Sequence, residues 1–257
     1  TLGLSAAFSN SAQLAALLDD ETGTGVAVFA TAPTFTTRIT TPVVVGGTGA
    51  TSQLVLQSTT GVGTTDSIIF KGGNNGATQL GKLDLGSTNN VAFGSDAGAT
   101  FNAVTIYNVA LGFEAGRYAS TTVADFNNYF GYRAGLSNTG QNNNIMGRDA
   151  GTNNAGNHNN IIGGSTAIDN TGDNNNILGY FAGQNNTGDY NSILGHYAGQ
   201  NNTGAYNSIL GAFAGQNNTG GYSNIMGYGA GLNNTGTNVN AIGRQAGYAN
   251  TGSNNDF

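Results

Sequence analysis

From Asn138 to its end the chain keeps a sixteen-residue period without a slip. Glycines close an Asn-Thr-Gly turn (Asn-Ala-Gly once) at 140, 156, 172, 188, 204, 220, 236 and 252. A second set closes an Ile-Leu-Gly-like block at 131, 147, 163, 179, 195, 211, 227 and 243. A globular core places no such demand on spacing. A chain coiled into identical turns does, because one odd insertion would throw every later turn out of stack.

The 257 residues support this reading and exclude others. Charged residues make up 8%, against about 25% in an ordinary soluble domain. The 43 glycines are periodic but do not fall at every third position, which excludes collagen. Disorder goes with high charge and few apolar groups, whereas here 38% of residues are hydrophobic and recur in register. Net charge is -6 and the seven basic residues are scattered singly, so no nucleic-acid footprint is present. The chain has no cysteine, which removes disulfides and thiolate metal sites. No apolar run approaches the roughly 20 residues that span a bilayer, so no membrane insertion is expected, and no secretory signal is visible. It begins at Thr1 and stops at Phe257 inside a new repeat, which reads as a piece of a longer protein.

Three segments follow from the pattern. Residues 1–89 read as a shaft or connector. Ser9, Asn10 or Ser11 caps a short helix with Leu14, Leu17 and Leu18 on one side and Gly23 at its end, too short to stand alone in water. Short β-type runs follow at 26–29, 43–45, 54–56 and 68–70, with a further strand expected at 82–85. Gly46-Gly47-Thr48-Gly49 is a turn, since it lacks the Gly-Lys-Ser/Thr ending of a phosphate loop. Residues 90–130 hold irregular coils: glycines 94, 112 and 131 are eighteen and nineteen apart, which predicts longer loops around 100–105 and 120–127. Residues 131–257 are the regular repeats.

Within one repeat, Asn191-Ser192-Ile193-Leu194-Gly195 reads as a short strand and Ala198-Gly199 as a second. Asn201-Asn202-Thr203-Gly204 reads as a turn, with Asn and Gly able to take positive φ. Two strands and two turns would close a coil about 4.8 Å tall. The structural repeat positions are Ile193, Leu194 and Gly195, then Ile209, Leu210 and Gly211, with the turn glycines Gly204 and Gly220. Adjacent Ile and Leu point to opposite faces of a strand, so one fills the coil and the other forms an apolar stripe along the stack. Such a stripe calls for burial against other chains.

The Val-Ala-Leu-Gly block with a following Ala resembles the parallel β-roll heads of trimeric autotransporter adhesins, although those repeats are usually fourteen residues long. Residues 16–25 (Ala-Leu-Leu-Asp-Asp-Glu-Thr-Gly-Thr-Gly), then Val28-Phe29 and Ala32-Pro33-Thr34-Phe35-Thr36-Thr37, resemble a module of phage tail fibres and other virion structural proteins. Ile68-Ile69-Phe70 and Gly73-Asn74-Asn75-Gly76-Ala77-Thr78 are similar to segments that precede fibre tips, and the sixteen-residue repeats occur there too. The resemblance implies a non-enzymatic virion component outside the cell: an all-β, elongated homotrimeric fibre of stacked parallel β-roll repeats with a short N-terminal helix. It also implies partners among tail or baseplate proteins and host surface glycans, and no cofactor. A bacterial trimeric adhesin and a monomeric ice- or polysaccharide-binding solenoid are the alternatives.

Candidate sites are few. His158 and His196 stand outside any triad motif and read as surface fillers. Asp173 and Asp189 share a repeat position after the turn glycine, an ordinary place for a solvated Asp, and no calcium-repeat pattern accompanies them. Asn185, Asn201, Asn217 and Asn233 match glycosylation acceptors but lie where a turn wants Asn. Tyr190, Tyr206 and Tyr222 stack in register, as do Phe181, Tyr197 and Phe213. Either row could pack on itself or on another chain, and the tyrosines are the candidate glycan contact.

Overall fold

A computed structural model describes residues 67–72, 78–84, 89–101, 106–119 and 124–257, all within the compact unit Leu56–Phe257. The expected helix within 1–24 and the β runs at 26–29, 43–45 and 54–56 lie outside the described residues. Among the described residues there is no helix. Two longer strands come first, β1 (Ser67–Gly72) and β2 (Thr78–Asp84). The strand expected at 82–85 is thus longer and starts earlier.

Ten three-residue strands follow: β3 (Val91–Phe93), β4 (Val109–Leu111), β5 (Asn128–Phe130), β6 (Asn144–Met146), β7 (Asn160–Ile162), β8 (Asn176–Leu178), β9 (Ser192–Leu194), β10 (Ser208–Leu210), β11 (Asn224–Met226) and β12 (Asn240–Ile242). All belong to one sheet in chain order. β1 pairs antiparallel with β2, and β2 antiparallel with β3. From β3 on every pairing is parallel, with identical positions opposite each other, as Ile193 faces Ile209 and Leu194 faces Leu210. A parallel ladder of three-residue strands is a solenoid, one coil per strand. The hairpin β1–β2 covers the first coil's free edge, which a bare parallel edge would leave open to other chains.

Each coil has one strand, not two. After the strand the backbone turns twice: Ala198 N–H donates to Gly195 O (3.3 Å) and Asn202 N–H to Gly199 O (3.3 Å). Tyr197 (φ 55°), Gly199 (φ 61°) and Asn201 (φ 54°) are left-handed, so this side cannot be extended chain. Inter-coil hydrogen bonding nevertheless continues around the coil. Tyr197 N–H donates down to Tyr180 O (3.0 Å), Gly199 N–H up to Ala214 O (2.8 Å), Asn201 N–H down to Gln184 O (2.8 Å) and Thr203 N–H up to Asn218 O (2.9 Å).

The two glycine columns serve different ends. Gly195 has φ 145°, a conformation a side chain rarely adopts. In the turn it is Asn201 that takes positive φ, whereas Gly204 and Gly220 do not use that freedom. They are glycine because coils approach there: a Cβ on Gly204 would overlap the Gly220 carbonyl, and the Gly211 column meets the same obstacle at Gly227.

The interior is thin. One coil contributes Ile193 from the strand, Ala198 from the turn, and two asparagines, Asn191 and Asn202, all buried. Buried amides must be hydrogen-bonded, and stacking supplies the partners. Asn202 Nδ2 donates to Asn186 Oδ1 (2.9 Å) and Gly204 O (2.8 Å), while its Oδ1 accepts from Asn218 Nδ2 (2.8 Å). Asn191 Oδ1 accepts the Asn207 amide (2.9 Å). This second ladder ends where Ser223 and then Val239 replace Asn.

The irregular first coils lack the turn ladder. Its buried column there holds Phe101 and Ala119, and the strand column holds Ala92 and Ala110 before Tyr129. The middle coil is small in both columns, and Phe101 and Tyr129 from the coils on either side pack on each other across it (ring centroids 6.3 Å). Strands remain in register although coils are eighteen and nineteen residues long. The strict sixteen-residue period and the buried turn amides therefore arrive together at Asn138. The Asn191 column, by contrast, runs on through the longer coils, since Asn108 N–H donates to Asn90 Oδ1 (2.8 Å) and Asn127 N–H to Asn108 Oδ1 (2.9 Å).

Candidate functional site

What distinguishes this solenoid is its outer surface. The strand alternates out-in-out around its buried positions. Ile193 is 0% exposed and Leu194 47%, and Ile209 and Leu210 repeat the pattern at 1% and 40%. The expected division of each Ile/Leu pair therefore holds. The outward position runs Phe93, Leu111, Phe130, Met146, Ile162, Leu178, Leu194, Leu210, Met226, Ile242: one apolar side chain on every coil.

Beside this stripe, Tyr180, Phe181, His196, Tyr197, Phe213 and Tyr228 join into one aromatic cluster. Phe181 stacks on Tyr197 (5.0 Å) and Tyr197 on Phe213 (5.4 Å). Where Ala212 leaves a gap in the neighbouring column, Phe213 fills it edge-on between His196 (5.7 Å) and Tyr228 (5.6 Å). His196 also lies flat against Tyr180 (5.7 Å, 5° between planes). It is thus part of an aromatic surface, with no carboxylate partner. His158 stands in the column of the candidate tyrosines, between Asn142 and Asn174.

Those tyrosines form a row. Tyr190, Tyr206 and Tyr222 are exposed and stack with centroids 4.9 Å apart and planes 5° and 8° apart. Each covers its neighbour's face. A sugar stacked on the inner ring, Tyr206, would have to displace that contact, so the row offers edges and hydroxyls, plus the outer faces of Tyr190 and Tyr222, the latter the most exposed of the three at 64%. All three have φ between 56° and 60°. This left-handed backbone costs a non-glycine residue about 1–2 kcal/mol, and Asn occupies the same position at 142, 174, 238 and 254, where it is far cheaper.

The remaining candidates are absorbed into stacking. Asp173 Oδ1 accepts the Asn157 amide (2.7 Å) and Asp189 Oδ1 the Asp173 amide (2.8 Å), so both carboxylates tie coils together. Asn185, Asn201, Asn217 and Asn233 form an exposed amide ladder with bonds of 2.9–3.0 Å. They are therefore not simply solvated, and an Asp at 217 would set a carboxylate against Asn233 Oδ1. Sequence reasoning did not foresee the ion-pair chain of the early coils, in which Arg117 bridges Asp96 (3.6 Å) and Glu114, and Arg133 bridges Glu114 (3.4 Å) and Asp149 (3.8 Å). These charges are aligned only once eighteen-, nineteen- and sixteen-residue coils are stacked. Among the described residues no three His, Cys, Asp or Glu side chains gather around a metal-sized space, and no helix is long and apolar enough to cross a membrane.

No protein-family model, curated protein or solved structure matches the chain.

Proposed function

We propose that this chain is a rigid spacer in a phage tail fibre or related virion appendage, three copies packed side by side, holding an adsorption tip away from the particle. One observation carries the reading: the unbroken outward apolar column from Phe93 to Ile242, on coils whose own interior is already full. Burying a half-exposed Leu-sized side chain yields about 1 kcal/mol. Ten in register yield on the order of 10 kcal/mol, comparable with the 4–15 kcal/mol that association costs. One exposed Leu would mean nothing, but a full column offsets a cost of that size. The backbone ladder around each coil supplies axial stiffness, and fibre modules resembling 16–37 and 68–78 supply the context.

Size-exclusion chromatography with light scattering tests the proposal. A trimer is expected, and Leu194→Asp with Leu210→Asp should yield smaller species that keep their β-type circular dichroism. Ile209→Asp, by contrast, should disrupt the coil itself, because an unpaired charge inside costs several kcal/mol. A stable wild-type monomer would refute the spacer reading. That result would favour a monomeric polysaccharide-binding solenoid, a reading supported by the exposed Asn185–Asn233 ladder.

A further inference from the structure

The first residue of each strand faces outward, and in most regular coils it is Asn. These side chains form their own ladder: Asn144 Nδ2 donates to Asn160 Oδ1 (2.9 Å) and Asn160 Nδ2 to Asn176 Oδ1 (2.8 Å). It resumes with Asn224 Nδ2 to Asn240 Oδ1 (2.9 Å) and Asn240 Nδ2 to Asp256 Oδ1 (2.7 Å). Between them stand Ser192 and Ser208, both exposed, neither hydroxyl hydrogen-bonded. The break leaves an exposed donor on Asn176 at one end and an exposed acceptor on Asn224 at the other.

The break falls in two of the three coils that carry the left-handed tyrosines of the row; the third, that of Tyr222, keeps Asn224. Tyr190 and Tyr206 precede Ser192 and Ser208 by two residues, and Leu194 and Leu210 follow by two. Asn191, Ile193, Asn207 and Ile209 point inward between them, so the strand holds the Tyr, Ser and Leu columns side by side. Two departures from the cheapest repeat coincide: amide bonds given up in one column, and left-handed tyrosines accepted in the next. The tyrosines recover part of their backbone cost by stacking on one another, whereas the missing amide bonds have no such return.

We propose that the Ser192–Ser208 gap is a binding notch for a neutral glycan lying along the solenoid axis. It runs for two coil heights, about 10 Å, a disaccharide-length stretch. The Ser hydroxyls and the free Asn176 and Asn224 amides match sugar hydroxyls, which both donate and accept. Tyr edges and hydroxyls flank one side and Leu methyls the other, suited to the polar rim and apolar face of a pyranose. The chain's net charge of -6, with Asp173 and Asp189 two columns away, disfavours an acidic sugar. The notch is present on each single chain and so goes beyond the spacer reading. If copies pack through the leucines, it lies at the rim of that contact.

Saturation-transfer NMR with cellohexaose, maltohexaose, chitohexaose and mannohexaose provides the test. Tyrosine emission is read in parallel, undisturbed because the chain has no tryptophan. At least one oligosaccharide should receive saturation and shift the emission. Ser192→Asn with Ser208→Asn completes the amide ladder, so it should keep or raise the melting temperature while abolishing transfer. Tyr206→Asn, the residue usual in that column, should weaken binding by about tenfold, as expected for the loss of one or two hydrogen bonds. No transfer from the wild type to any of the four sugars overturns the proposal, as does undiminished binding by the Ser→Asn double variant. Light scattering on the same samples reads the oligomeric state, so a failed notch and a failed trimer are told apart.

Discussion

Asn201 and Asn202 are neighbours of identical chemistry, and the structure gives them opposite consequences. Asn202→Ala removes three buried hydrogen bonds of 2.8–2.9 Å, each worth about 1 kcal/mol net. It also leaves Asn186 Oδ1 without its donor in a dry interior, which costs about 1–3 kcal/mol more. Gly204 O is partly rescued, because Asn191 Nδ2 is buried without a partner, and the same column donates to the turn carbonyl elsewhere, as Asn207 Nδ2 does to Gly220 O (3.0 Å). The total is about 4 kcal/mol. Asn201→Gly removes two exposed amide bonds and relieves a left-handed residue, so the net change should stay within about 1 kcal/mol. Because repeats respond to their neighbours, hydrogen exchange with mass spectrometry is the fitting assay. Protection across 186–218 should fall by about a thousandfold in Asn202→Ala and hardly at all in Asn201→Gly. Equal losses in the two variants would refute the assignment of inside and outside in the turn.

Deleting residues 195–210 removes one full period and should leave a folded rod about 4.8 Å shorter, whereas deleting 195–206 places strands opposite turns and should unfold it or abolish assembly. Identical melting and oligomeric state in the two deletions would be incompatible with stacked coils. Tyr129 gives a pH test: burial holds its phenol well above the ordinary range, while the Asn138 Nδ2 bond (2.9 Å) to its hydroxyl pulls the other way. The folded chain keeps a proton that the unfolded one releases near pH 10, so this contribution to stability is complete below about pH 10 and disappears above it. In an alkaline titration at 295 nm, absorbance equivalent to one of the 11 tyrosines should rise only together with loss of the β-type circular dichroism, and this component should vanish in Tyr129→Phe.

Much of the repeat was legible because period and burial are both one-dimensional. Sixteen residues per coil dictated the parallel register, and adjacent Ile193 and Leu194 had to part to opposite faces. What stayed hidden depends on what a side chain meets one coil away. Nothing local marks Asn202 as buried and Asn201 as exposed, or Gly204 as a close approach with ordinary φ. Ala198-Gly199 reads as a second strand in the sequence because small residues suit both a tight strand contact and consecutive turns, and Tyr197, a poor turn residue by propensity, gives no sign of its left-handed backbone. The tyrosine row was visible, but not that its rings cover one another's faces. The broken amide column at Ser192 and Ser208 had a readable trace, two Ser where Asn recurs every sixteen residues, yet it acquires meaning only beside Tyr190 and Tyr206.

The side-chain ladders also have direction. In the buried turn ladder each upper Asn donates to the coil below, as Asn202 does to Asn186, and the Gln184–Gln200–Gln216 row runs the same way. In the exposed ladder and the strand-edge ladder each lower Asn donates to the coil above, as Asn185 does to Asn201 and Asn144 to Asn160. Aligned amide dipoles add in a helix until its ends carry partial charges. Here opposed rows subtract, and the backbone amides point up and down in turn. A stack of this kind can lengthen coil by coil without building polarity at its ends, so electrostatics sets no limit on the number of repeats.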